Sequence, residues 1–230
     1  MMTFGSHSEI DTLTYGPMRQ KDIATIQADR DDPTKALGRY LNRIAEGLPA
    51  APIPRPFPNG STETVLELNT TIQRMVDSPP WKQDFAVKVD DPRNHYEMWA
   101  DIASRQTGET YSWRWFNAMA TQGNGLSLYT KMYHSRPRPY QLAPLLGKKI
   151  MPIVSDPQTP AYPSGHSFDA WMFSTALKVR YPEFHAVFDR FAERISESRI
   201  IGGVHFPSDL EAGKILGVFA VQQGLVDIPE

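Results

Sequence analysis

Residues 198–213 read SRIIGGVHFPSDLEAG and join two segments with a helical pattern. The segment before the stretch predicts a helix over residues 182–199, and the segment after it predicts one over residues 208–223. Gly202 and Gly203 allow the chain to turn closely between the two. The stretch therefore predicts a helix, a tight turn and a second helix.

The rest of the chain has the same helical character. Strand signals are scarce, because no long run alternates with period two and β-branched residues are scattered. Prolines, capping residues and apolar spacing predict further helices. We expect these helices over residues 33–46, 62–76, 91–106, 111–134 and 167–180. The expected fold class is all-α, a compact helical bundle.

A proline-rich stretch divides the chain into two parts. Residues 48–60 read LPAAPIPRPFPNG, which cannot be helical and predicts an extended connector. We expect residues 1–60 to be an N-terminal extension that includes this connector, and residues 61–230 to be one helical domain. A chain of 230 residues is long enough to bury such a core.

Composition excludes several classes of protein. The chain has 24 basic and 26 acidic residues, so the basic surplus of a nucleic-acid-binding protein is missing. It has no cysteine and no histidine spacing of the H-E-x-x-H type, so no metal site is predicted. No apolar run approaches the ~20 residues that span a bilayer, so neither nucleic acid nor membrane is an expected partner.

Residues 1–16, MMTFGSHSEIDTLTYG, have neither the basic region nor the apolar core of a secretory signal. The expected location is therefore the cytoplasm, or the periplasm if a signal had been removed before residue 1.

Basic side chains are concentrated in residues 131–140, KMYHSRPRPY. Lys131 and Arg138 are about two helical turns apart, so they share a face if the helix persists that far. Two converging cations suit a dianion, and the planar guanidinium of arginine matches a phosphate group. Taken alone, the cluster favours a solvated basic helix end, where cations offset the helix dipole.

A second cluster, residues 161–167, reads AYPSGHS. Pro163 and Gly165 predict a tight turn directly before a helix, whose first turn offers free N–H groups to an anion. Ser164 could add a hydroxyl group, and His166 would lie at the edge of this site. A capping turn with an incidental histidine explains the cluster equally well.

The stretch 198–213 is the third cluster, and it holds Arg199, His205 and Asp209. An aspartate on one imidazole nitrogen fixes the tautomer and leaves the other nitrogen free to attack. Asp209 could also be only an acidic residue in the first turn of a helix.

In chain order the clusters form one pattern that is specific only as a whole. It comprises Lys131 and, after six residues, Arg138-Pro139; then Pro163-Ser164-Gly165-His166; then Arg199, His205 and Asp209. This pattern resembles the superfamily of type 2 phosphatidic acid phosphatases and vanadium haloperoxidases. It is most similar to the bacterial class A non-specific acid phosphatases, whose first motif also has a tyrosine at the position of Tyr133. The resemblance covers roughly residues 131–213.

The resemblance implies a metal-independent acid phosphatase, a phosphoric monoester hydrolase with the helical bundle of that superfamily. His205 would attack phosphorus and become a phosphohistidine, Asp209 would orient it, and His166 would protonate the leaving oxygen. An enzyme that needs His166 protonated at the start is expected to have an acidic optimum. The residues implied to bind the phosphoryl group are Lys131, Arg138, Ser164, Gly165 and Arg199.

The same resemblance implies no cofactor, although vanadate could bind as a phosphate mimic. The expected partner is a small-molecule phosphate ester, with nucleotides as one option, and the chain is expected to form a homo-oligomer. Two alternatives stay open: a vanadium-dependent haloperoxidase with His205 as the vanadium ligand, and a non-catalytic phosphate-binding protein. Other histidines, such as His95 and His185, are expected to be surface or core residues.

Overall fold

The structure is a computed structural model that describes residues 7–47, 49–155 and 157–230. Over these ranges the fold is all-α, as predicted, without a β-strand. None of the helices in the described ranges has the length and apolar character that a bilayer span requires. The helices are α1 (His7–Thr12), α2 (Gln20–Arg30), α3 (Ala36–Ala45), α4 (Thr62–Asp77), α5 (Pro80–Asp90), α6 (Pro92–Thr107), α7 (Trp113–His134), α8 (Pro139–Leu142), α9 (Gly165–Arg180), α10 (His185–Ile201) and α11 (Pro207–Gln222).

Helix α9 is the centre of the bundle. It packs against α10 and α11 along its length and against α7 on another side. Its side chains Phe168, Met172 and Phe173 are fully buried. A helix that is apolar around most of its circumference is expected at the middle of a helical core. The N-terminus of α9, with Gly165 and His166, is thereby fixed by the most buried part of the molecule.

Two glycines let α11 approach α9 closely. A Cβ atom on Gly213 would lie 2.5 Å from the carbonyl oxygen of Ser164. A Cβ atom on Gly217 would lie still closer to the carbonyl oxygen of Phe168. The N–H of Ser164 also donates to the carbonyl oxygen of Asp209 at 2.8 Å. The first turns of α9 and α11 are therefore held together, which joins the second and third sequence clusters.

The N-terminal segment packs on the same bundle. Helices α2 and α3 both contact α7. Ahead of them, the backbone N–H of Tyr15 donates to the carbonyl oxygen of Ser135 at 3.0 Å, and its hydroxyl donates to that of Pro157 at 2.7 Å. These bonds place Tyr15 beside the chain that follows α7. The domain boundary at residue 60 stays a prediction.

The predicted helices are present, but some differ in extent. The helix predicted from residue 33 begins at Ala36, because the carboxylate of Asp32 accepts the N–H of Thr34 in a turn before the helix. The helix predicted from residue 182 begins with a 3-10 turn and continues as α10 to Ile201.

Helices α1, α2, α5 and α8 were not predicted. The pair Pro79-Pro80 is typical of a helix end and follows α4, but Pro80 occupies the first turn of α5, where a missing N–H costs nothing.

Candidate active site

The three sequence clusters meet at one cavity of about 350 Å³. The loop after α7, the first turn of α9 and the turn between α10 and α11 surround it. Asp209 and Ser164 are fully buried beside it. Six of the eight predicted site residues line the cavity: Lys131, Arg138, Gly165, His166, Arg199 and His205.

The ring of His205 is held from both sides. Its Nδ1 lies 3.2 Å from Oδ2 of Asp209, and its Nε2 lies 2.8 Å from Nη1 of Arg138. A guanidinium group can only donate, so Nε2 is the acceptor and Nδ1 carries the hydrogen that Asp209 receives. Burial, and then the charge of Arg138, lower the pKa of His205 well below its usual value. His205 is therefore neutral, with the Nε2 lone pair at the cavity.

Asp209 is fixed by a buried ionic network. Arg136 donates to its Oδ1 at 2.6 Å, and the N–H of Phe206 donates to its Oδ2 at 2.8 Å. Arg136 also donates to Glu67 of α4 at 2.9 Å, and Glu67 in turn accepts the N–H of Ser208. The network connects α4, the loop after α7 and α11. Sequence reasoning gave Arg136 no role and missed Glu67, which no local pattern distinguishes.

His166 lines the same cavity as His205. Its Nε2 is 3.1 Å from the carbonyl oxygen of Val89, so that nitrogen carries the hydrogen. Burial lowers the pKa of His166 well below its usual value, and the charge of Arg199 and the nearby His95 and His205 lower it further. The imidazole is thus neutral in the unliganded protein, whereas the predicted mechanism starts from the protonated form.

Lys131 and Arg138 are held by backbone carbonyl groups. Lys131 Nζ donates to the carbonyl oxygens of Pro160, at 2.8 Å, and Pro163. Arg138 donates to the carbonyl oxygens of Thr159, at 2.7 and 2.9 Å, and Val204, at 2.8 Å. Burial lowers the pKa of Arg138 to about 10 and that of Lys131 well below its usual value. Carbonyl groups orient these cations without neutralising them.

Arg199 has unused hydrogen-bond donors. Its Nη2 donates to Asp90 at 2.6 Å, but its Nε and Nη1 are buried and have no partner in the part of the chain that the structure describes. An unsatisfied buried donor is costly, and a bound anion would remove that cost. Arg199 is therefore arranged to receive an anion in the cavity.

Ser164 and Gly165 form the start of α9. The hydroxyl of Ser164 caps the helix by accepting the N–H of Ser167 at 3.4 Å. The first N–H groups of a helix have no partner within it, so the N–H of Gly165 is a donor for an anion. The capping bond gives the Ser164 hydroxyl a structural role here, and its contact with substrate stays a prediction.

Seven of the residues that line the cavity were not foreseen from the sequence, among them Asp90, Thr159 and Arg19. Asp90 ends α5, and Thr159 lies in the proline-rich loop before α9. Arg19 precedes α2 and is paired with Asp22 at 2.7 Å, so the N-terminal segment contributes to the cavity wall. Arg19 and Asp90 lie far in sequence from the motifs, whereas Thr159 is two residues before the second cluster. Within the described ranges, no group of three or more His, Asp or Glu side chains could hold a metal ion.

The sequence is related to those of known phosphatases. Residues 112–223 match the model of the PAP2 superfamily. The non-specific acid phosphatases of Salmonella typhimurium and Salmonella typhi are 28% and 27% identical to the chain over 146 and 145 residues. Each alignment covers 61% of this chain and 58% of the relative, so the chain spans less than two thirds of these proteins.

Two solved structures have a similar fold. A bacterial vanadium-dependent iodoperoxidase has a TM-score of 0.53 at 18% identity, covering 76% of this chain and 52% of that one. A transmembrane PAP2-type phosphatidylglycerolphosphate phosphatase from Bacillus subtilis has a TM-score of 0.50 at 15% identity, covering 84% and 95%. The resemblance predicted from the motifs is confirmed over residues 112–223, just under half of the chain, which match the PAP2 superfamily.

His95, correctly expected to be a surface or core residue, is buried against the site. Its ring stacks on that of His166, with centroids 5.4 Å apart and planes at 25°. Its Nε2 accepts the indole N–H of Trp99 at 3.2 Å. Burial, and then the charge of Arg199, lower its pKa to about 3.

The low pKa of His95 predicts loss of stability in acid. Between pH 6.5 and about 3 the unfolded chain binds a proton at His95 that the folded chain does not, so the free energy of unfolding falls by about 1.4 kcal/mol per pH unit from this residue. His95→Gln keeps an acceptor for Trp99 but does not titrate. In urea unfolding from pH 7 to 4.5, its stability is expected to fall less steeply with acid than that of the wild type. His185→Gln, at an exposed position, is the control and should lose stability as steeply as the wild type. If His95→Gln does the same, the low pKa assigned to His95 is wrong.

Proposed function

We propose that this protein is an acid phosphatase that hydrolyses small-molecule phosphate monoesters through a phosphohistidine. One observation carries the proposal: a neutral His205 has Asp209 on Nδ1, and its Nε2 lone pair faces a cavity lined by three oriented cations. The names of the Salmonella relatives support the same activity.

In the first step, Nε2 of His205 attacks phosphorus and the bond from phosphorus to the ester oxygen breaks. Arg138 donates to Nε2 in the unliganded protein and would transfer that hydrogen bond to a phosphoryl oxygen. Lys131, the free donors of Arg199 and the N–H of Gly165 would bind the remaining charge. Asp209 would stabilise the imidazolium that forms. In the second step, water attacks phosphorus and the bond from phosphorus to Nε2 breaks, while His166 would accept the proton of the water; His205 leaves as the neutral imidazole.

The leaving oxygen needs a proton, which His166 would deliver. Because this imidazole is neutral in the unliganded protein, it would gain its proton when the phosphate binds, since an adjacent anion raises the pKa of a histidine. Alternatively, the ester brings a proton below pH ~6, where its second ionisation is reversed. Both routes predict a rate that falls as the pH rises above ~6.

Hydrolysis of a chromogenic aryl phosphate from pH 4 to 9, with chelator and no added metal, tests the proposal. We expect chelator-resistant turnover that is highest below pH 7 and is inhibited by vanadate, whose shape resembles that of the phosphoryl transition state. Activity that requires added metal, or that rises steadily to pH 9, would contradict the mechanism.

A vanadium-dependent haloperoxidase is the second candidate, favoured by the fold shared with the iodoperoxidase. The cavity fits vanadate for the reason that it fits phosphate: Arg199 has buried donors without a partner, and Lys131 and Arg138 converge on the same space. His205 would be the vanadium ligand, and bound vanadate would supply peroxide activation. Iodide oxidation with vanadate and peroxide, without ester hydrolysis, would favour this candidate. Phosphate binding without either reaction would indicate a binding protein.

Nucleotide substrates, a homo-oligomer and the absence of a cofactor stay parts of the proposal. Turnover of nucleotide and simple alkyl phosphates tests the first, light scattering in solution tests the second, and the chelator assay tests the third.

A further inference from the structure

A second cavity of about 240 Å³ lies next to the active site. It is bordered by α6, α7 and the first turns of α9, and its lining is mostly polar. A phenol, two hydroxyl groups, an amide and a carboxyl group face it. The residues that line it are Tyr96, Ala120, Thr121, Asn124, Ser127, Gly165 and Asp169.

Gly165 is the residue that the two cavities share. A Cβ atom on Gly165 would lie 3.8 Å from Cε of Lys131, which lines the phosphate cavity, and 3.9 Å from Oγ of Ser127, which lines the second one. The position that a side chain would occupy is thus empty between the two. The α-carbon of Gly165 therefore borders both cavities, and a molecule with its phosphate at the start of α9 lies directly beside the second cavity.

Asp169 is the charged residue of this second cavity. It lies one helical turn after Gly165, on the same face of α9. Its carboxyl group has no hydrogen bond or ion pair within residues 7–47, 49–155 and 157–230. Burial alone raises its pKa to about 7. A half-buried carboxyl group without a partner is destabilising, so the fold itself gives no reason for it.

We propose that the second cavity binds the alcohol part of the substrate, and that Asp169 selects phosphate esters of polyhydroxylated alcohols such as sugars and polyols. This inference rests on the proposed phosphatase function and adds the substrate class. A carboxylate, an amide and two hydroxyl groups together accept and donate hydrogen bonds as a set of neighbouring hydroxyl groups requires. An apolar leaving group would leave these groups unpaired, which is how such a site discriminates.

Kinetics of Asp169→Leu with two substrates test the inference. With glycerol phosphate or a hexose phosphate, kcat/KM is expected to fall about tenfold, because a hydrogen bond between the substrate and the Asp169 carboxyl group is lost. With phenyl phosphate, which has no further hydroxyl group, it is expected to change less than about twofold. Asn124→Leu, which removes a second polar group of the cavity, is expected to shift the same ratio in the same direction.

The controls separate this inference from the proposed function. If the wild type hydrolyses neither ester, the phosphatase function fails. If the wild type hydrolyses both and Asp169→Leu changes both equally or neither, the substrate class fails. Asp84→Leu, at an exposed position of α5, should leave both rates unchanged. Asp169→Leu should unfold at the same temperature as the wild type or higher, which would show that a lost rate is not lost folding.

Discussion

Replacing His205 by alanine is expected to lower kcat/KM for phosphate-ester hydrolysis by a factor of at least about 10⁴, as expected for loss of a nucleophile. The change removes the group placed to attack phosphorus, while Asp209 keeps its bonds from Arg136 and the N–H of Phe206. The fold should therefore survive. Steady-state assays at pH 5 to 7 measure the loss, and circular dichroism checks the fold.

A matched control and a covalent test sharpen this prediction. His185→Ala removes an exposed histidine on the same scaffold and should keep full activity. Rapid mixing of the wild type with an ester that is labelled in its phosphate group should trap protein-bound phosphate. This phosphate should be lost in acid and stable in alkali, because phosphate on a histidine nitrogen has that behaviour. The His205 variant should trap none. Activity of His205→Ala within tenfold of the wild type would place the nucleophile elsewhere.

Arg136→Met is expected to destabilise the protein by about 3–5 kcal/mol, since it breaks a buried ion network from one side. Arg136 is buried and bridges Asp209 and Glu67, whose side chains are 0% and 11% exposed. Both carboxylates would then lie near each other without a cation. The midpoint of urea unfolding at pH 7 measures this loss.

Two further variants show whether charge is the cause. Adding Glu67→Gln to Arg136→Met removes one of the stranded charges and should restore part of the stability. Arg105→Ala, which breaks an exposed pair with Asp101, should change the stability by less than about 0.5 kcal/mol. If Arg136→Met unfolds at the same urea concentration as the wild type, the network does not hold α4 and α11 together.

The helices of the core could be predicted from the sequence because each signal is local. Gly108 ends α6 in a left-handed conformation, and Asp91 caps its start, as their residue types suggest. The proline pair before α5 was ambiguous for the same reason: Pro79-Pro80 ends one helix and begins the next. A local pattern gives the position of a break in the helix but does not show whether another helix begins directly after it.

The contacts of the active site could be predicted where the two residues are close in sequence or belong to one motif. Asp209 is four residues after His205, and the two side chains meet at the start of α11, as the spacing suggests. Glu67 meets Arg136 across 69 residues, and Asp90 meets Arg199 across 109. Only the packing of α4 and α5 against α10 and α11 brings these groups together, so no pattern along the chain could show them.

The two donors of Arg199 that have no partner among the described residues affect more than the first chemical step. They favour any tetrahedral anion of suitable size, and inorganic phosphate, released when the phosphohistidine is hydrolysed, is such an anion. The freed product should therefore compete with fresh ester for the same cavity. Turnover would slow as phosphate accumulates, so the phosphate level of the surroundings would limit how far the reaction runs.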